Sequence, residues 1–419
     1  MKAEILSVGT ELLLGNVVNT DARDISEYLS ALGINVYWHT VVGDNPARLT
    51  ACVEIAKKRA DLIVTTGGLG PTCDDLTKQV LASAFGLKLY FDEAEAEGIR
   101  AWFASRPGRT MTENNLQQAY LPEGCTVFHN DWGTAPGCGF EKDGVRVVML
   151  PGPPRECRAM FTHRVVPYLR SLSEGEIVSH NIRVFGMGES AVEALLREKM
   201  NAMTNPTLAP YAKEGEMLLR VTAKAATREK AEEMMQPVIE ALTALLGDVV
   251  YGVDAESLEA AVFALLRARG QTLAAAESCT GGLIGKRLTD LPGVSAVYKG
   301  GAVVYTAESK TAILGVPAAV IEEKGVVSRE VALSLAENVR KRFSSDYGLG
   351  VTGLAGPDGD GTNPVGTVFT ALAAPDGCFV RALQLGSGRE RVRTSAANHA
   401  LDMLRRYLTG LEVVPAEYA

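Results

Sequence analysis

The chain has 419 residues, of which 47 % are hydrophobic and 22 % are charged, as in ordinary soluble globular proteins of several domains. Its formal net charge of −8 argues against direct nucleic-acid binding, because proteins that neutralise phosphates carry basic patches. The seven cysteines form no Cys-x-x-Cys pair, and no apolar run of membrane-spanning length occurs. No signal peptide is expected, because residues 1–10 continue into a strand pattern without a long apolar region. These features predict a reduced, cytoplasmic protein without a membrane partner.

Short apolar runs alternate with amphipathic stretches through residues 1–172. The pattern predicts strands at 3–8, 34–42, 62–66 and 145–150, and helices at 21–32, 47–58, 75–85 and from about 155. This alternation is typical of βαβ units and predicts a largely parallel sheet that is covered on both faces. Loops at the carboxyl ends of the strands are therefore expected to bind ligands.

Two further domains are predicted, so that the whole chain is an α/β multidomain protein. Residues 173–254 form a small α+β connecting domain, with strands at 181–185, 217–223 and 249–251 and one helix at 228–246. Residues 255–419 form a second α/β domain, for which we expect mixed strand pairing. Its strands are predicted at 272–276, 301–305, 348–351, 366–372 and 379–384, and its helices at 258–269, 281–288, 329–343 and 391–407.

In the first domain, polar and glycine-rich loops follow two predicted strands. Glycine allows backbone amides to face a phosphate, but the loop 67–75 (GGLGPTCDD) has neither the Gly-Lys-Ser/Thr of a Walker A loop nor the spacing of a dinucleotide fingerprint. Candidate nucleotide-binding residues are Thr10, Glu11, Gly67, Gly68, Gly70 and Thr72. Asp74, Asp75 and Glu156 are candidate ligands of a divalent metal, although carboxylates near a helix start also serve as caps.

The third domain contains the segment 277–282 (ESCTGG), between an apolar strand and a helix. A hydroxyl at such a turn can attack a carbonyl while nearby amides stabilise the developing charge. No histidine lies near this turn in sequence, so we identify Lys310, preceded by Tyr305, as the candidate base, because burial lowers the pKa of a lysine. The alternative is that Ser278 or Thr280 only caps the helix, and Cys279 is interpreted as a buried structural cysteine.

Five segments of this domain resemble the nicotinamide-mononucleotide amidohydrolase domain over residues 256–410. They are 277–282 (ESCTGG), 305–310 (YTAESK), 351–357 (VTGLAGP), 364–368 (PVGTV) and 388–391 (GRER). The resemblance implies that Ser278 is the nucleophile, supported by Tyr305 and Lys310, and that no cofactor is required. The predicted substrate contacts are Glu277, Thr280, Gly281, Gly282, Thr352, Gly353, Ala355, Gly356, Arg389 and Arg391.

One position departs from that family's pattern. Ala307 stands where the second motif usually has asparagine. The domain could therefore bind a pyridine nucleotide without cleaving it, and this alternative stays open. Residues 352–357 are a candidate phosphate or ribose cradle, with a tight turn as the alternative.

The glycine-rich loop of the first domain, together with residues 114–122 (NNLQQAYLP), 130–137 (NDWGTAPG) and 150–156 (LPGPPRE), resembles the molybdopterin-binding domain. The combination of both domains resembles the competence/damage-inducible CinA family from end to end. That resemblance implies a pyrophosphatase that uses Mg, Mn or Co to split ADP-ribose into AMP and ribose 5-phosphate. Alternatives are a pterin ligand at this site, or a non-enzymatic accessory role in competence or recombination. A homodimer is expected, since closed symmetry is the usual form of oligomers.

Overall fold

The computed structural model describes residues 1–106, 108–172, 175–213, 215–386 and 388–418. The chain folds into two compact units, one formed by Met1–Val178 with Ala223–Glu232 and the other by Ser179–Thr222 with Glu233–Ala419. The three predicted domains stay a prediction, and their first boundary, at Ser173, lies outside the described residues. No helix in the described part of the chain is long and apolar enough to cross a membrane.

The part of the chain up to residue 172 contains a six-stranded sheet with helices. In chain order its elements are β1 (Lys2–Val8), α1 (Thr10–Leu13), α2 (Thr20–Ala31), β2 (Asn35–Val42), α3 (Pro46–Ala56), β3 (Leu62–Thr66), α4 (Thr77–Ala84), β4 (Leu89–Phe91), α5 (Glu93–Ala104), β5 (Tyr120–Pro122), β6 (Thr126–Phe128), β7 (Gly137–Lys142), β8 (Val145–Leu150), α6 (Pro154–Met160) and α7 (Val166–Ser171). The main sheet has the order β2-β1-β3-β8-β7-β6. Its pairing is parallel from β2 to β8 and antiparallel from β8 to β6.

The central strands β1 and β3 of this sheet are buried on both faces, which explains their continuous apolar sequences. Separate hydrophobic clusters lie on the two sides of the sheet. Within the sheet, β2 is the neighbour of β1 on one edge and β3 is its neighbour on the other edge. The strand order therefore reverses between β1 and β3. Open α/β sheets bind ligands at the carboxyl ends of the strands at such a reversal.

The following segment contains β9 (Glu176–Val184), α8 (Glu189–Ala202), β10 (Thr207–Lys213), β11 (Glu216–Ala225), α9 (Arg228–Leu246) and β12 (Val250–Val253). Its sheet has the order β10-β11-β9-β12. This βαββαβ arrangement is that of the ferredoxin-like fold. The predicted helix at 228–246 is confirmed, whereas β9 begins five residues before the strand predicted at 181–185.

The last segment contains α10 (Leu258–Arg269), β13 (Leu273–Glu277), α11 (Leu283–Thr289), β14 (Tyr298–Val303), α12 (Ala307–Leu314), α13 (Ala318–Lys324), α14 (Arg329–Phe343), β15 (Tyr347–Gly353), β16 (Thr367–Ala374), β17 (Gly377–Gln384) and α15 (Arg389–Leu408). Its sheet has the order β14-β13-β15-β16-β17. The first three strands are parallel and the last two antiparallel, which confirms the predicted mixed pairing. As in the first domain, the strand order reverses between two central strands, here β13 and β15.

Two predicted boundaries near the ESCTGG segment differ from the structure. The helix predicted at 281–288 begins at Leu283, because Gly281 and Gly282 have positive φ angles of 60° and 92° and form the turn that precedes α11. The strand predicted at 301–305 ends at Val303. Tyr305 therefore lies in a loop and not in the sheet.

Buried arginines join α15 to its neighbours. Asp402 accepts hydrogen bonds from Arg381 at 2.9 Å and from Arg405 at 2.8 Å. The Arg405 guanidinium also donates to the Asp248 carbonyl at 2.9 Å, and Arg406 pairs with the Asp248 carboxylate. All three arginines are almost completely buried. Burial of so much charge is tolerated only where each group is paired.

Candidate functional site

Ser278 lies at the turn between β13 and α11. Its backbone N–H donates to the Val351 carbonyl of the neighbouring β15 at 3.1 Å, which fixes the turn between two strands. The side chain is only 6 % exposed. The hydroxyl is therefore held at the carboxyl end of the sheet, at the reversal point between β13 and β15.

Lys310 brings an amine to this hydroxyl. It lies on the first turn of α12, which begins with a capping box formed by Thr306 and Ser309. Its side chain is completely buried, and its Nζ lies 2.9 Å from Ser278 Oγ and 2.8 Å from the Val304 carbonyl oxygen. Burial without a paired carboxylate lowers the pKa of Lys310 to about 8. A lysine of this kind can act as a general base near neutral pH.

Tyr305 is exposed, and its phenol oxygen accepts a 2.6 Å hydrogen bond from Arg389 Nη2 rather than contacting Lys310. The second guanidinium nitrogen, Nη1, donates to the Gly356 carbonyl at 2.7 Å. Arg389 thus links the two predicted motifs across one side of a 430 Å³ cavity. Of the predicted residues, the cavity is lined by Ser278, Tyr305, Gly353, Ala355, Gly356 and Arg389.

Several predicted substrate contacts instead support the turn. The Glu277 carboxylate accepts the N–H groups of Ile284 at 3.1 Å and Gly285 at 2.8 Å, and so caps α11. Thr352 donates its hydroxyl to the Val326 carbonyl at 2.9 Å. The side chain of Thr280 is completely buried. None of these three is among the described residues that line the cavity.

The two predicted glycines of the turn and the second arginine are also not among the described residues that line the cavity. The N–H of Gly281 donates to the Ser278 carbonyl at 3.0 Å, so it is already engaged, and Gly282 serves as the N-cap of α11. Arg391 is exposed and does not line the cavity. Gly281 and Gly282 therefore shape the turn that carries Ser278, whereas Arg391 lies outside this turn.

Arg393 was not predicted from the sequence. Its guanidinium donates twice to the Thr280 carbonyl, at 2.8 and 3.2 Å, and so braces the turn that carries Ser278. The available signal was its spacing from Arg389, since residues four apart share one face of a helix. Cys279 is buried, and burial raises the pKa of its thiol to about 12, so it is a poor nucleophile.

The first domain has its own cavity, of 590 Å³, at the carboxyl ends of β1 and β3. Gly67 and Gly68 have positive φ angles of 92° and 68°. A Cβ atom at Gly67 would lie 2.1 Å from the Val8 carbonyl oxygen, so only glycine allows the two strand ends to approach this closely. The predicted residues that line the cavity are Glu11, Gly67, Gly68, Gly70, Thr72, Asp74, Asp75 and Glu156.

Thr72 organises the two aspartates of the loop. Its N–H and hydroxyl donate to Asp75 Oδ2 at 2.9 and 2.5 Å, and its hydroxyl also contacts Asp74. This contact lowers the pKa of Asp74, which is exposed and stays ionised. Glu156 Oε2 accepts a hydrogen bond from Asn130 at 2.8 Å. Thr10 does not line the cavity, because its N–H and hydroxyl are paired with Asp44.

The charge of this cavity is strongly negative. Its lining includes the carboxylates of Glu11, Asp21, Asp44, Asp74, Asp75 and Glu156, and no lysine or arginine among the described lining residues. No group of three or more His, Cys, Asp or Glu in the described part of the chain could hold a metal ion by itself. The site therefore fits a divalent cation held by one or two carboxylates together with phosphate oxygens of a ligand, as Mg²⁺ commonly is.

Asp21 and Asp44 were not among the predicted site residues. Asp21 is buried, accepts a hydrogen bond from Thr66 at 3.2 Å, and has its pKa raised to about 6 mainly by burial. Asp21 reaches the cavity from the first turn of α2 and Asp44 from the loop after β2, and both are distant in sequence from the glycine-rich loop. Only the fold brings them together.

Three family models match the chain in succession. They are "Probable molybdopterin binding domain" over residues 4–171, "Damage-inducible protein CinA KH domain" over 179–252 and "CinA C-terminal domain" over 255–408. A "CinA-like protein" of Dictyoglomus turgidum is 47 % identical over 98 % of this chain and 100 % of its own length. The chain belongs to the CinA family. Another "CinA-like protein", from Desulfovibrio desulfuricans, is 48 % identical over 99 % of this chain and 97 % of its own length.

A solved structure covers part of this CinA chain. The competence/damage inducible protein CihA of Agrobacterium tumefaciens is 36 % identical over 39 % of this chain and 96 % of its own, with a TM-score of 0.36. In the segment that matches the CinA KH model, residues 179–252 contain no Gly-x-x-Gly sequence. KH domains clamp nucleic acid with a loop of that sequence, so the match does not identify a nucleic-acid site in this chain.

Proposed function

We propose that this protein is a hydrolase whose C-terminal site removes the amide nitrogen of nicotinamide mononucleotide. The observation that supports this reaction best is the buried contact of 2.9 Å between Lys310 Nζ and Ser278 Oγ. With a pKa of about 8, roughly a tenth of the lysine side chains are neutral at pH 7. For an ordinary lysine the neutral fraction is smaller by more than 100-fold.

The proposed reaction proceeds through an acyl-enzyme. Neutral Lys310 takes the proton of Ser278 while Oγ attacks the carboxamide carbon. Lys310 then returns the proton to the nitrogen, the C–N bond breaks, and ammonia leaves. Lys310 next removes a proton from water, which attacks the ester and releases nicotinic acid mononucleotide. The lysine finally returns this proton to Ser278.

Arg389 is the proposed ligand of the substrate phosphate. It lines the same cavity as Ser278, and its planar guanidinium suits a phosphate. Its present partners, the Tyr305 phenol and the Gly356 carbonyl, are neutral. A phosphate oxygen is a stronger acceptor than either of them. Binding of the substrate would therefore redirect Arg389 and connect phosphate binding with the position of Tyr305.

The test is ammonia release from nicotinamide mononucleotide by the purified protein and by Ser278→Ala. Ser190→Ala, at an exposed position on α8, is the matched control. Release by the parent and the control but not by Ser278→Ala supports the proposal. Equal release by all three contradicts it. No release by the parent, combined with retained binding of the nucleotide, would favour a binding domain made inactive by Ala307.

We also propose that the N-terminal site hydrolyses ADP-ribose to AMP and ribose 5-phosphate with a divalent cation. A glycine-rich loop beside six carboxylates supports this proposal. The carboxylates repel a diphosphate, so a diphosphate can bind at this loop only together with a cation that neutralises the negative charge. Asp74 and Asp75 would hold the cation, whose chemistry is to neutralise the diphosphate and orient water, and Glu156 lines the same cavity. Asp74→Ala should abolish AMP formation, whereas tight pterin binding without AMP formation would contradict the assignment.

The setting proposed for both reactions is a cytoplasmic homodimer. The seven cysteines are all free thiols, as expected in a reducing compartment. If neither reaction occurs with the purified protein, the accessory role in competence or recombination becomes the better explanation.

A further inference from the structure

Residues 12–18, here named the apolar lip, expose an unusual number of large apolar side chains. Leu13, Leu14, Val17 and Val18 are 54 %, 69 %, 49 % and 83 % exposed. Clustered exposed apolar side chains on a folded protein commonly mark a binding surface. The lip begins within α1, four residues after the end of β1, and so lies near the sheet edge that carries the N-terminal cavity.

Hydrogen bonds hold the lip at both ends. At its start, the Thr10 N–H donates to Asp44 Oδ2 at 2.8 Å, and the Asp44 N–H donates back to Thr10 Oγ1 at 3.2 Å. At its end, Asn19 donates to Ser7 Oγ at 2.9 Å and accepts from the Ala22 N–H at 3.1 Å. Within the lip, the Asn16 N–H donates to the Glu11 carbonyl at 3.1 Å. A surface fixed in this way binds without a large ordering cost.

The lip forms one wall of the cavity that also contains the glycine-rich loop. Leu12, Val17 and Val18 line it together with the loop from Gly67 to Asp75. The volume of 590 Å³ is that of a typical small-molecule site. A ligand with phosphates against the loop would thus present its neighbouring group to an apolar wall.

We propose that the apolar lip is the platform for the base of a nucleoside diphosphate, with the ring packed on Val17 and Val18. This inference rests on the proposed N-terminal function and adds how the ligand is chosen. The concave position of both valines beside the phosphate loop favours a ligand base over a second copy of the chain. The face of a heterocyclic ring is apolar, and Val17 and Val18 offer it exposed aliphatic side chains in a cavity that is also lined by six carboxylates.

The lip therefore selects for the presence of a base and not for its identity. Packing on aliphatic side chains reads no hydrogen-bond pattern, and apolar pockets discriminate weakly between molecules of similar shape. The expected substrates are nucleoside diphosphates joined to a sugar, with purine and pyrimidine bases accepted within a few-fold of each other. A sugar phosphate without a base should bind distinctly more weakly.

The experiment compares the parent with the double variant Val17→Ser/Val18→Ser and with the control Ile55→Ser, which changes a side chain 52 % exposed on α3. For each protein we would measure kcat/KM for ADP-ribose and the inhibition constants of AMP and ribose 5-phosphate. The double variant should lose on the order of 10-fold in kcat/KM and in AMP inhibition. Inhibition by ribose 5-phosphate, and all values of the control, should change less than about twofold.

The outcomes separate this inference from the function on which it rests. If the parent hydrolyses ADP-ribose and the double variant does so equally well, the lip does not bind the base, while the hydrolase assignment stands. If the parent hydrolyses no nucleoside diphosphate sugar, both fail. Sedimentation of all three proteins adds one more outcome: dissociation of a parent dimer by the double variant would make the lip a subunit interface and overturn the proposal.

Discussion

The two cavities occupy equivalent places in two sheets but differ in their charge. Each lies where the strand order reverses, between β1 and β3 in one case and between β13 and β15 in the other. At the C-terminal cavity, a buried amine lies behind the Ser278 hydroxyl, which lines the cavity. The N-terminal cavity is lined by six carboxylates and, among its described lining residues, no basic side chain. The topology therefore places the two cavities in equivalent positions, whereas their side chains differ in the groups that they offer to a ligand.

Lys310→Met should have the largest effect, because it removes the buried amine that distinguishes the C-terminal site. Deamidation should fall by about 10³-fold, because general bases contribute factors of this size. Ammonia release measures the loss, with Lys299→Met on β14 as control. Thermal unfolding should show a higher Tm for Lys310→Met, since a buried cation without a carboxylate is replaced by an apolar side chain of similar length. A lower Tm would mean that the hydrogen bonds of Lys310 to Val304 and Ser278 stabilise the fold by more than the burial of its charge costs.

Chelation of divalent metal should separate the two sites. Treatment with EDTA is expected to lower ADP-ribose hydrolysis by at least about 100-fold, because the six carboxylates repel a bare diphosphate. Deamidation should change less than about twofold, since Ser278 and Lys310 need no ion. Both activities are measured on the same sample, before and after Mg²⁺ is restored. Equal loss of both activities would contradict the inference that only the N-terminal site needs a divalent cation.

The pH dependence should also differ. The pKa of Lys310 is lowered to about 8, and only the neutral amine accepts the serine proton. The kcat/KM of deamidation should therefore rise by about tenfold per pH unit up to pH 8 and level off above it. The control is ADP-ribose hydrolysis on the same buffers, in which this rise should be missing. A flat deamidation profile between pH 6 and 8 would exclude Lys310 as the base.

The smallest expected effect concerns the support of Lys310. Thr306 caps α12 and accepts the Ser309 N–H at 3.2 Å, as Ser328 caps α14 and accepts the Val331 N–H at 3.4 Å. Replacing either residue by alanine should cost about 1 kcal/mol in the free energy of unfolding. Only Thr306→Ala should also lower deamidation, by roughly threefold, because α12 positions the amine. Equal activity of both variants would show that the cap does not hold the lysine in place.

Elements with a strong local pattern were predictable from the sequence. The strand at 62–66 and the helix at 258–269 have the predicted bounds, the latter because Ser257 and Gly270 cap its two ends. The helix α8 was missed. The pairing of Ser278 with Lys310 was predictable because both residues belong to motifs of the family that the sequence resembles.

Long-range features were not predictable in the same way. Asp21 and Asp44 join the N-terminal cavity only because β1, β2 and β3 end at one edge of the sheet. Tyr305 was expected beside Lys310, but β14 ends at Val303 and the phenol lies against Arg389. Glu277 was expected to contact substrate, yet its carboxylate is satisfied by α11. These contacts depend on which residues distant in sequence the fold places beside a side chain, and no local sequence pattern reports that.

The arginine cluster around α15 has a consequence for gene fission. Arg405 and Arg406 donate to Asp248, which precedes the predicted boundary at residues 254 and 255. A fragment that starts at residue 255 would retain both guanidinium groups in its core but lose these acceptors. Arg405 would keep Asp402 and Arg406 would keep the Glu412 carbonyl, so each guanidinium loses acceptors but not its last partner. A hydrogen bond to a charged group contributes about 1.5–3 kcal/mol. An amidase-like fragment of this chain should therefore be more stable if it begins before Gly247, which means that the boundary in the sequence and the boundary in the folded protein do not coincide.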